Sequence, residues 1–429
     1  MKQYESYKDS GIQWWGAVPS HWDLSKAKHM FSLVTDSVSD SSLPKIALEN
    51  IESGTGRYIP TEADFMGEGI EFEPDDILFG KLRPYLAKVY KAEFRGQSVG
   101  DIYVFRGNDK QVSGFLKYLL LSYPFISVVD GSTYGAKMPR ANWDFISHMI
   151  LPCPSKIEQE TIASYLDHKV GQIDAAITEK EQMLEDLKAY RSAIISEAVT
   201  KGLDRDVEMK DSGIDWIGEI PENWNTVKLS RVYPNIGSGT TPDTNNSQYY
   251  SEEGINWLQT GDLNDGDIFE TSKHITELAL KEKGLRIYPK GSLVIAMYGA
   301  TIGKVGLLQI DTTTNQACCV LPPNERMSII YTKFVLQAAK DVLLKQSVGG
   351  GQPNISQSII RSLSIPMPPL EEQIKIAEKI QDTYQSIEKT LKELLLSIDD
   401  LKAYKSSIIT EAVTGKVDLR GWKSKNDKP

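Results

Sequence analysis

LKAYRSAIISEAVTKGLD (187–204) and LKAYKSSIITEAVTGKVD (401–418) are one segment written twice, with twelve of 18 positions identical at an offset of 214. A second pair, KDSGIQWWGAVPSHW (8–22) and KDSGIDWIGEIPENW (210–224), stands 202 residues apart. A period near 210 is far longer than the 20–50 residues of a solenoid repeat, so the chain is two copies of a whole domain, each with its own trailing segment. Between the anchors the copies stay in phase but diverge. ILFGKLRPYLAKV (77–89) falls opposite LVIAMYGATIGKV (293–305), pairing Lys88 with Lys304. GSTYGAKMPRANW, ending at Trp143, falls opposite GGGQPNISQ, ending at Gln357, pairing Pro139 with Pro353. Similar flanks around dissimilar bodies are the pattern of one scaffold carrying two different surfaces.

The trailing segments read as long helices. From Leu166 the apolar positions are Val170, Ile173, Ile177, Leu184, Leu187, Ile194 and Ala198, with Lys180 and Arg191 interrupting. From Ile380 they are Tyr384, Ile387, Leu391, Leu394, Ile398, Leu401, Ile408 and Ala412, with Lys405 interrupting. Alternating steps of three and four, kept for about five heptads, predict helices that pair as a coiled coil. Pro154 and Pro368-Pro369 precede the two starts, and Glu158 and Glu371/Glu372 fall in the first turns, where the helix dipole favours negative charge. Forty or so residues at 1.5 Å rise make rods of roughly 60 Å.

The bodies, about 20–150 and 222–364, hold short strand-like runs such as Gly100–Phe105 and Leu293–Met297, punctuated by Gly, Pro, Asn and Asp. Helices are expected around Phe115–Leu121 and Tyr331–Leu344. The expected class is therefore α+β: two mixed α/β domains in tandem, each followed by a long helix, the helices pairing antiparallel. The boundaries expected are 1–155, helix 156–204, 205–368, helix 369–416, and a tail over 417–429. Trp14, Trp22, Trp216 and Trp224 of the repeated entry segment read as core anchors in preference to base-stacking groups.

Composition narrows the function classes. No apolar run of some 18 residues is present, and the start MKQYESYK lacks an apolar secretory region, so neither a membrane span nor export is expected, and a cytoplasmic location is. Cys153, Cys318 and Cys319 are too few for a disulfide framework, and no Cys/His spacing suits zinc. The net charge of −10 argues at first against nucleic acid, but it is unevenly spread: segments 156–204 and 365–418 carry −4 and −3. Residues 77–95 are locally +4 (Lys81, Arg83, Lys88, Lys91 and Arg95 against Glu93), and 281–304 are also +4 (Lys281, Lys283, Arg286, Lys290 and Lys304 against Glu282). Basic patches on a neutral body bind phosphate even where the total is acidic, although they also occur on ordinary solvated surfaces.

No catalytic constellation is legible. Gly299–Lys304 imitates a phosphate loop, but three residues separate its glycines where four are needed, and Val305 follows the lysine where Ser or Thr is required. Pro74-Asp75 with Glu93-Phe94-Arg95 only loosely resembles a nuclease metal motif, and the second copy has no counterpart. Neither a glycine-rich AdoMet loop nor an Asn-Pro-Pro-aromatic tetrapeptide is present, and no nucleophile–base pair recurs in both halves.

The order of two divergent domains, each followed by a repeated helix, resembles the specificity subunits of Type I restriction–modification systems over essentially the whole chain. The strings carrying the resemblance are GSTYGAKMPRANWDF (131–145), LPCPSKIEQE (151–160), QTGDL (259–263), YGATIGKV (298–305), GGQPNISQ (350–357) and IPMPPLEEQ (365–373). The first copy departs at Glu49-Asn50-Ile51, where the second has Gly261-Asp262-Leu263, so those loops are expected to differ in role.

The resemblance implies a non-catalytic subunit whose two target-recognition domains each read a half-site of double-stranded DNA, while the antiparallel helices fix the unread spacer. It implies two modification subunits, which carry AdoMet and the adenine methylation, and restriction subunits, which use ATP and Mg²⁺. This chain itself would hold no cofactor. Contacts to DNA are expected from Lys81, Arg83, Tyr85, Lys88, Tyr134, Lys137 and Arg140 in the first copy. In the second they are expected from Tyr298, Thr301, Lys304, Gln352, Asn354 and Gln357. Cations and hydroxyls suit phosphates, and Arg, Lys, Asn and Gln suit base edges. The helical seam expected to serve the subunit interface is Leu166, Ile173, Ile177, Leu184, Leu187 and Ile194 with Ile387, Leu391, Leu394, Ile398, Leu401 and Ile408. Two rival readings make different predictions. A methyltransferase or nuclease would act alone with AdoMet or Mg²⁺, and a peptide-binding scaffold would have no salt-dependent DNA affinity.

Overall fold

The computed structural model describes residues 2–38, 42–61, 65, 67–133, 137–299, 301–347 and 354–423. The chain divides into two compact units, Met1–Glu181 with Leu395–Pro429, and Gln182–Leu394. Two long helices run over Lys156–Lys201 and Leu370–Val413. Each unit thus contains a mixed α/β body and a stretch of both long helices.

In the first unit a four-stranded sheet has the order Phe31–Val34, Ile102–Gly107, Ile77–Gly80, Val89–Lys91. A second has the order Ser37–Val38, Gly69–Phe72, Gly96–Ser98, Lys45–Ile46. The second unit repeats the plan. Its five-stranded sheet runs Gly237–Ser238, Cys318–Leu321, Leu293–Ala296, Val305–Leu308, Asp267–Ile268, and its four-stranded sheet runs Tyr250–Ser251, His274–Ile275, Ile255–Leu258, Thr313–Thr314. The correspondence extends to register. Ile102 faces Gly80 and Phe105 faces Ile77, and 216 residues on Cys318 faces Ala296 and Leu321 faces Leu293. These central strands are unbroken apolar runs because both faces are covered. The first-unit strand begins at Ile102 rather than Gly100, since Gly100 adopts a positive φ of 76° that a strand does not accommodate.

The repeated entry segment is a hairpin in both copies, Tyr7–Asp9 with Ala17–Pro19 and Met209–Asp211 with Glu219–Pro221. It is bolted to the start of a long helix. Trp22 is fully buried and its indole N–H donates to Glu158 Oε1 at 3.1 Å, and Trp224 donates likewise to Glu372 Oε2 at 3.0 Å. The first-turn glutamates therefore accept a buried indole proton in addition to meeting the helix dipole. The next residue is equally constrained. Gln159 donates to the Pro154 carbonyl and Gln373 to the Pro368 carbonyl, both at 2.9 Å. Their Oε1 atoms accept the backbone N–H of Val112 and Ser328, again both at 2.9 Å. Gly202 and Gly415, which follow the helix ends, have φ of 77° and 70° and lie against Trp224 and against Pro19 with Trp22.

The long helices pair antiparallel within each unit. In the first, Lys405 Nζ meets Asp174 Oδ1 at 2.8 Å and Lys402 meets Glu181 at 4.0 Å. In the second, Arg191 bonds Glu388 and its guanidinium lies 5.1 Å from the Tyr384 ring. Leu166, Ile173, Ile177, Leu184, Ile387, Leu391, Leu394, Ile398 and Ile408 are buried, and Leu187, Ile194 and Leu401 are half-buried. Towards the end of the first long helix the apolar face widens, and Ile195 and Val199 join the core of the second body beside Trp224 and Tyr331.

Candidate nucleic-acid interface

The two loops singled out in each copy are brought together by a backbone bridge. In the first unit Leu82 pairs with Arg140, with Arg83 N donating to Pro139 O and Ala141 N donating to Lys81 O, both at 2.8 Å. In the second unit Tyr298 pairs with Asn354, and Ile355 N donates to Met297 O at 2.8 Å. The strand-end loop is closed identically, Gly80 N to Lys88 O and Ala296 N to Lys304 O, both at 2.9 Å. Residues more than 50 apart in sequence thus form one platform, built the same way twice and furnished with different side chains.

A third loop joins the platform in each copy. Leu48–Asn50 and Thr260–Asp262 are single 3₁₀ turns. Asn50 Oδ1 accepts Ala47 N and Asp262 Oδ2 accepts Gln259 N, both at 2.9 Å. The sequence difference at these positions therefore leaves the turn unchanged, because the turn needs only an acceptor at its third residue. Lys88 Nζ donates to Leu48 O, and Thr301 Oγ1 donates to Thr260 O, both at 2.6 Å.

Electrostatically the first platform is the richer. Arg140 forms a two-point pair with Asp101 at 3.1 and 3.0 Å, and Lys81 lies 3.8 Å from the same carboxylate and over the Tyr103 ring. Asp101 thus offsets part of the charge of both. Lys88 is tied to the Leu48 carbonyl. Arg83 and Lys137 are exposed and their side chains have no hydrogen-bond or ion-pair partner among the described residues, and Tyr85 is also exposed. In the second platform Asn354 is exposed, Tyr298 and Lys304 are half-buried, and Thr301 has its hydroxyl engaged. Gln357 opens the short helix Gln357–Ser362 and its amide donates to Ile236 O at 3.0 Å. Tyr134 and Gln352 lie outside the described residues.

One feature of the platform escaped the sequence reading. Arg83 (φ 52°) and Ala87 (φ 47°) sit in the left-handed region on either side of the turn Pro84–Leu86, at a cost of roughly 1–2 kcal/mol each. The signal was available in the alignment, because the equivalent positions of the second copy are Gly299 and Gly303, with φ of 88° and 75°. Among the described residues no group of three or more His, Cys, Asp or Glu is placed to hold a metal, and no helix is long and apolar enough to cross a membrane.

The same platform is thus built twice, each beside a stretch of the paired long helices, and the comparisons place this arrangement among known proteins. Residues 221–397 match the sequence model of the Type I restriction modification DNA specificity domain. Over 405 residues the chain is 24% identical to the EcoBI specificity subunit of Escherichia coli, covering 90% of this chain and 82% of that one. It is 25% identical over 363 residues to the MjaVIII specificity subunit of Methanocaldococcus jannaschii, covering 80% and 77%. Among solved structures, a chain from work on complex assembly and conformational transition of the type I R-M system superposes with a TM-score of 0.74 at 17% identity, covering 93% of this chain and 99% of that one. The HsdS subunit of Thermoanaerobacter tengcongensis gives 0.50 at 17% identity, covering 93% and 98%. The structural likeness speaks for the fold. Residues 221–397 thus carry the Type I restriction modification DNA specificity domain, and the chain as a whole is similar to specificity subunits of Type I restriction enzymes.

Proposed function

We propose that this chain reads an asymmetric, two-part duplex DNA target and directs modification and restriction subunits to it, without catalysing a reaction itself. The observation that carries the reading is the twin platform. Leu82–Arg140 and Tyr298–Asn354 are equivalent bridges bearing unlike side chains, as expected if each reads a different half-site. In this reading 1–155 and 205–368 are the recognition domains, and 156–204 and 369–416 are the helices that set the unread gap. The tail is 417–429. Lys88, Lys137 and Lys304 suit phosphates, whereas Arg83, Arg140, Asn354, Gln352 and Gln357 carry the planar groups that suit base edges. Tyr85, Tyr134, Tyr298 and Thr301 supply hydroxyls for either. The protein partners are two modification subunits bearing AdoMet and restriction subunits using ATP and Mg²⁺, and the assembly works in the cytoplasm.

Selection from a pool of random duplexes by the complex of this chain with its modification subunits tests the reading. Two fixed sequence blocks at a constant gap are expected. A single block, or no enrichment, contradicts it.

A further inference from the structure

Four non-glycine residues hold a positive φ among the described residues: Asp75, Arg83, Ala87 and Asp265. Aspartate tolerates this region because its short side chain can bond nearby backbone, and Asp265 Oδ1 accepts Val305 N at 2.9 Å. Arg83 and Ala87 have no such compensation. Arg83 meets a further obstacle because it precedes Pro84, and proline crowds the preceding residue towards extended backbone, away from the observed φ 52° and ψ 66°.

The loop shape itself requires two left-handed residues, since the second copy holds it with Gly299 and Gly303. A Cβ added at Gly299 would meet only Thr260 Oγ1, at 3.8 Å, so packing neither excludes nor demands a side chain at this place in the second platform. For the fold alone, glycine is the better residue at position 83. The arginine side chain makes no hydrogen bond or ion pair among the described residues, unlike its neighbour Arg140, which is held by Asp101. A residue that strains the backbone and gives the fold no contact in return is explained by what its side chain meets outside the chain.

We propose that Arg83 is a base-reading residue of the first recognition domain, its guanidinium donating two hydrogen bonds to O6 and N7 of a guanine in the major groove. The second domain, with Gly299 there, makes no equivalent contact. The inference rests on the DNA-recognition reading above. A base contact is favoured over a phosphate contact by rigidity. Arg83 N is bonded to Pro139 O at 2.8 Å and the next residue is proline, so the side chain leaves from a fixed base. A planar two-point fork benefits from that aim, whereas a phosphate is met equally well by a flexible point charge such as Lys137.

Arg83→Gly tests this without endangering the fold, because it relieves the strain while deleting the side chain; Ala87→Gly is the control. In the full chain assembled with its modification subunits, each substitution is expected to raise the melting temperature by about 2–4 °C. Arg83→Gly, and also Arg83→Lys, should relax one G·C position of one half-site, with discrimination there falling about tenfold to a hundredfold. The other half-site, and both half-sites of Ala87→Gly, should be unchanged. An unaltered motif in Arg83→Gly overturns the proposal. So does uniform weakening with a shallower salt dependence, which would make Arg83 a phosphate contact. A lower melting temperature contradicts the strain argument, and failure of the unsubstituted chain to show any motif would sink the recognition reading itself.

Discussion

Asp174 and Lys405 meet at 2.8 Å in the apolar seam of the first unit, and 214 residues from each stand Glu388 and Arg191, which meet in the second. One ion pair has thus been kept in both copies while its chemistry changed from Lys–Asp to Arg–Glu. The first pair is buried, with side-chain exposures of 6% and 13%, and the second is half-open at 29% and 45%.

Their removal should therefore cost unequal amounts. Lys405→Met leaves a carboxylate uncompensated in the seam and is expected to destabilise the chain by about 3 kcal/mol. Asp174→Leu combined with Lys405→Met should recover most of that loss, since an apolar pair of similar volume suits the seam. Arg191→Met should cost under about 1 kcal/mol, because that pair is exposed and screened. Denaturant titration of the three variants beside the unsubstituted chain gives the comparison. Equal losses at Lys405 and Arg191 would contradict the burial argument.

Lys137→Ala with Arg140→Ala should weaken DNA binding while leaving the modification subunits attached. With Lys137 on a phosphate and Arg140 on a base edge, the slope of log affinity against log salt falls by about one. Binding measured at several salt concentrations, beside size-exclusion analysis of the assembly, checks both halves. An unchanged affinity and slope would remove the platform from the interface.

Burial pushes the Cys319 thiol up to about 12 and Cys318 further still, while Cys153 is half-buried beside Gln111 Nε2. The thiolate is the nucleophile, so alkylation of the native chain at pH 8 should label Cys153 alone, and raising the pH to about 10 should recruit neither of the others. Unfolding should expose all three. Mass spectrometry of the labelled chain reads the outcome, and native labelling of Cys318 or Cys319 would contradict the described core.

Much of this architecture was legible because duplication supplies an internal alignment. The seam from Leu166 to Ile194 and its partner from Ile387 to Ile408 followed from periodicity alone, whereas the single helix expected over Tyr331–Leu344 is two, Ile329–Ala338 and Lys340–Lys345. What periodicity could not show was burial outside the seam. Ile195 and Val199 are buried because the helix end packs on the second α/β body, and that contact has no helical period. The acidic partner of Arg140 was equally hidden, since Asp101 reaches it only through the strand pairing that joins the two loops. Alignment misled at the tryptophans. Trp14 matches Trp216 in sequence, yet the indole bond to the following strand's carbonyl is made by Trp15 in the first copy, to Ile150 O at 2.7 Å, and by Trp216 in the second, to Ser364 O at 3.2 Å. The neighbour Trp14 is left 40% exposed.

If the long helices set the gap between half-sites, lengthening them should lengthen the gap. A heptad inserted after Gln182, with a second after Leu396 so that the apolar seam stays in phase, adds about 10 Å. The tolerated spacer should grow by up to about three base pairs, with both half-sites unaltered. Altered half-sites at the old spacing would contradict the ruler.

The most direct test of the central claim is the methylation pattern that this chain creates. Co-expressed with its modification subunit in a host lacking adenine methylation, and mapped by long-read sequencing, it should produce one asymmetric motif of two blocks around an unread gap, absent when this chain is omitted. Methylation of the same sites without this chain, or a stable complex that methylates no such motif, would contradict its role as the specificity subunit.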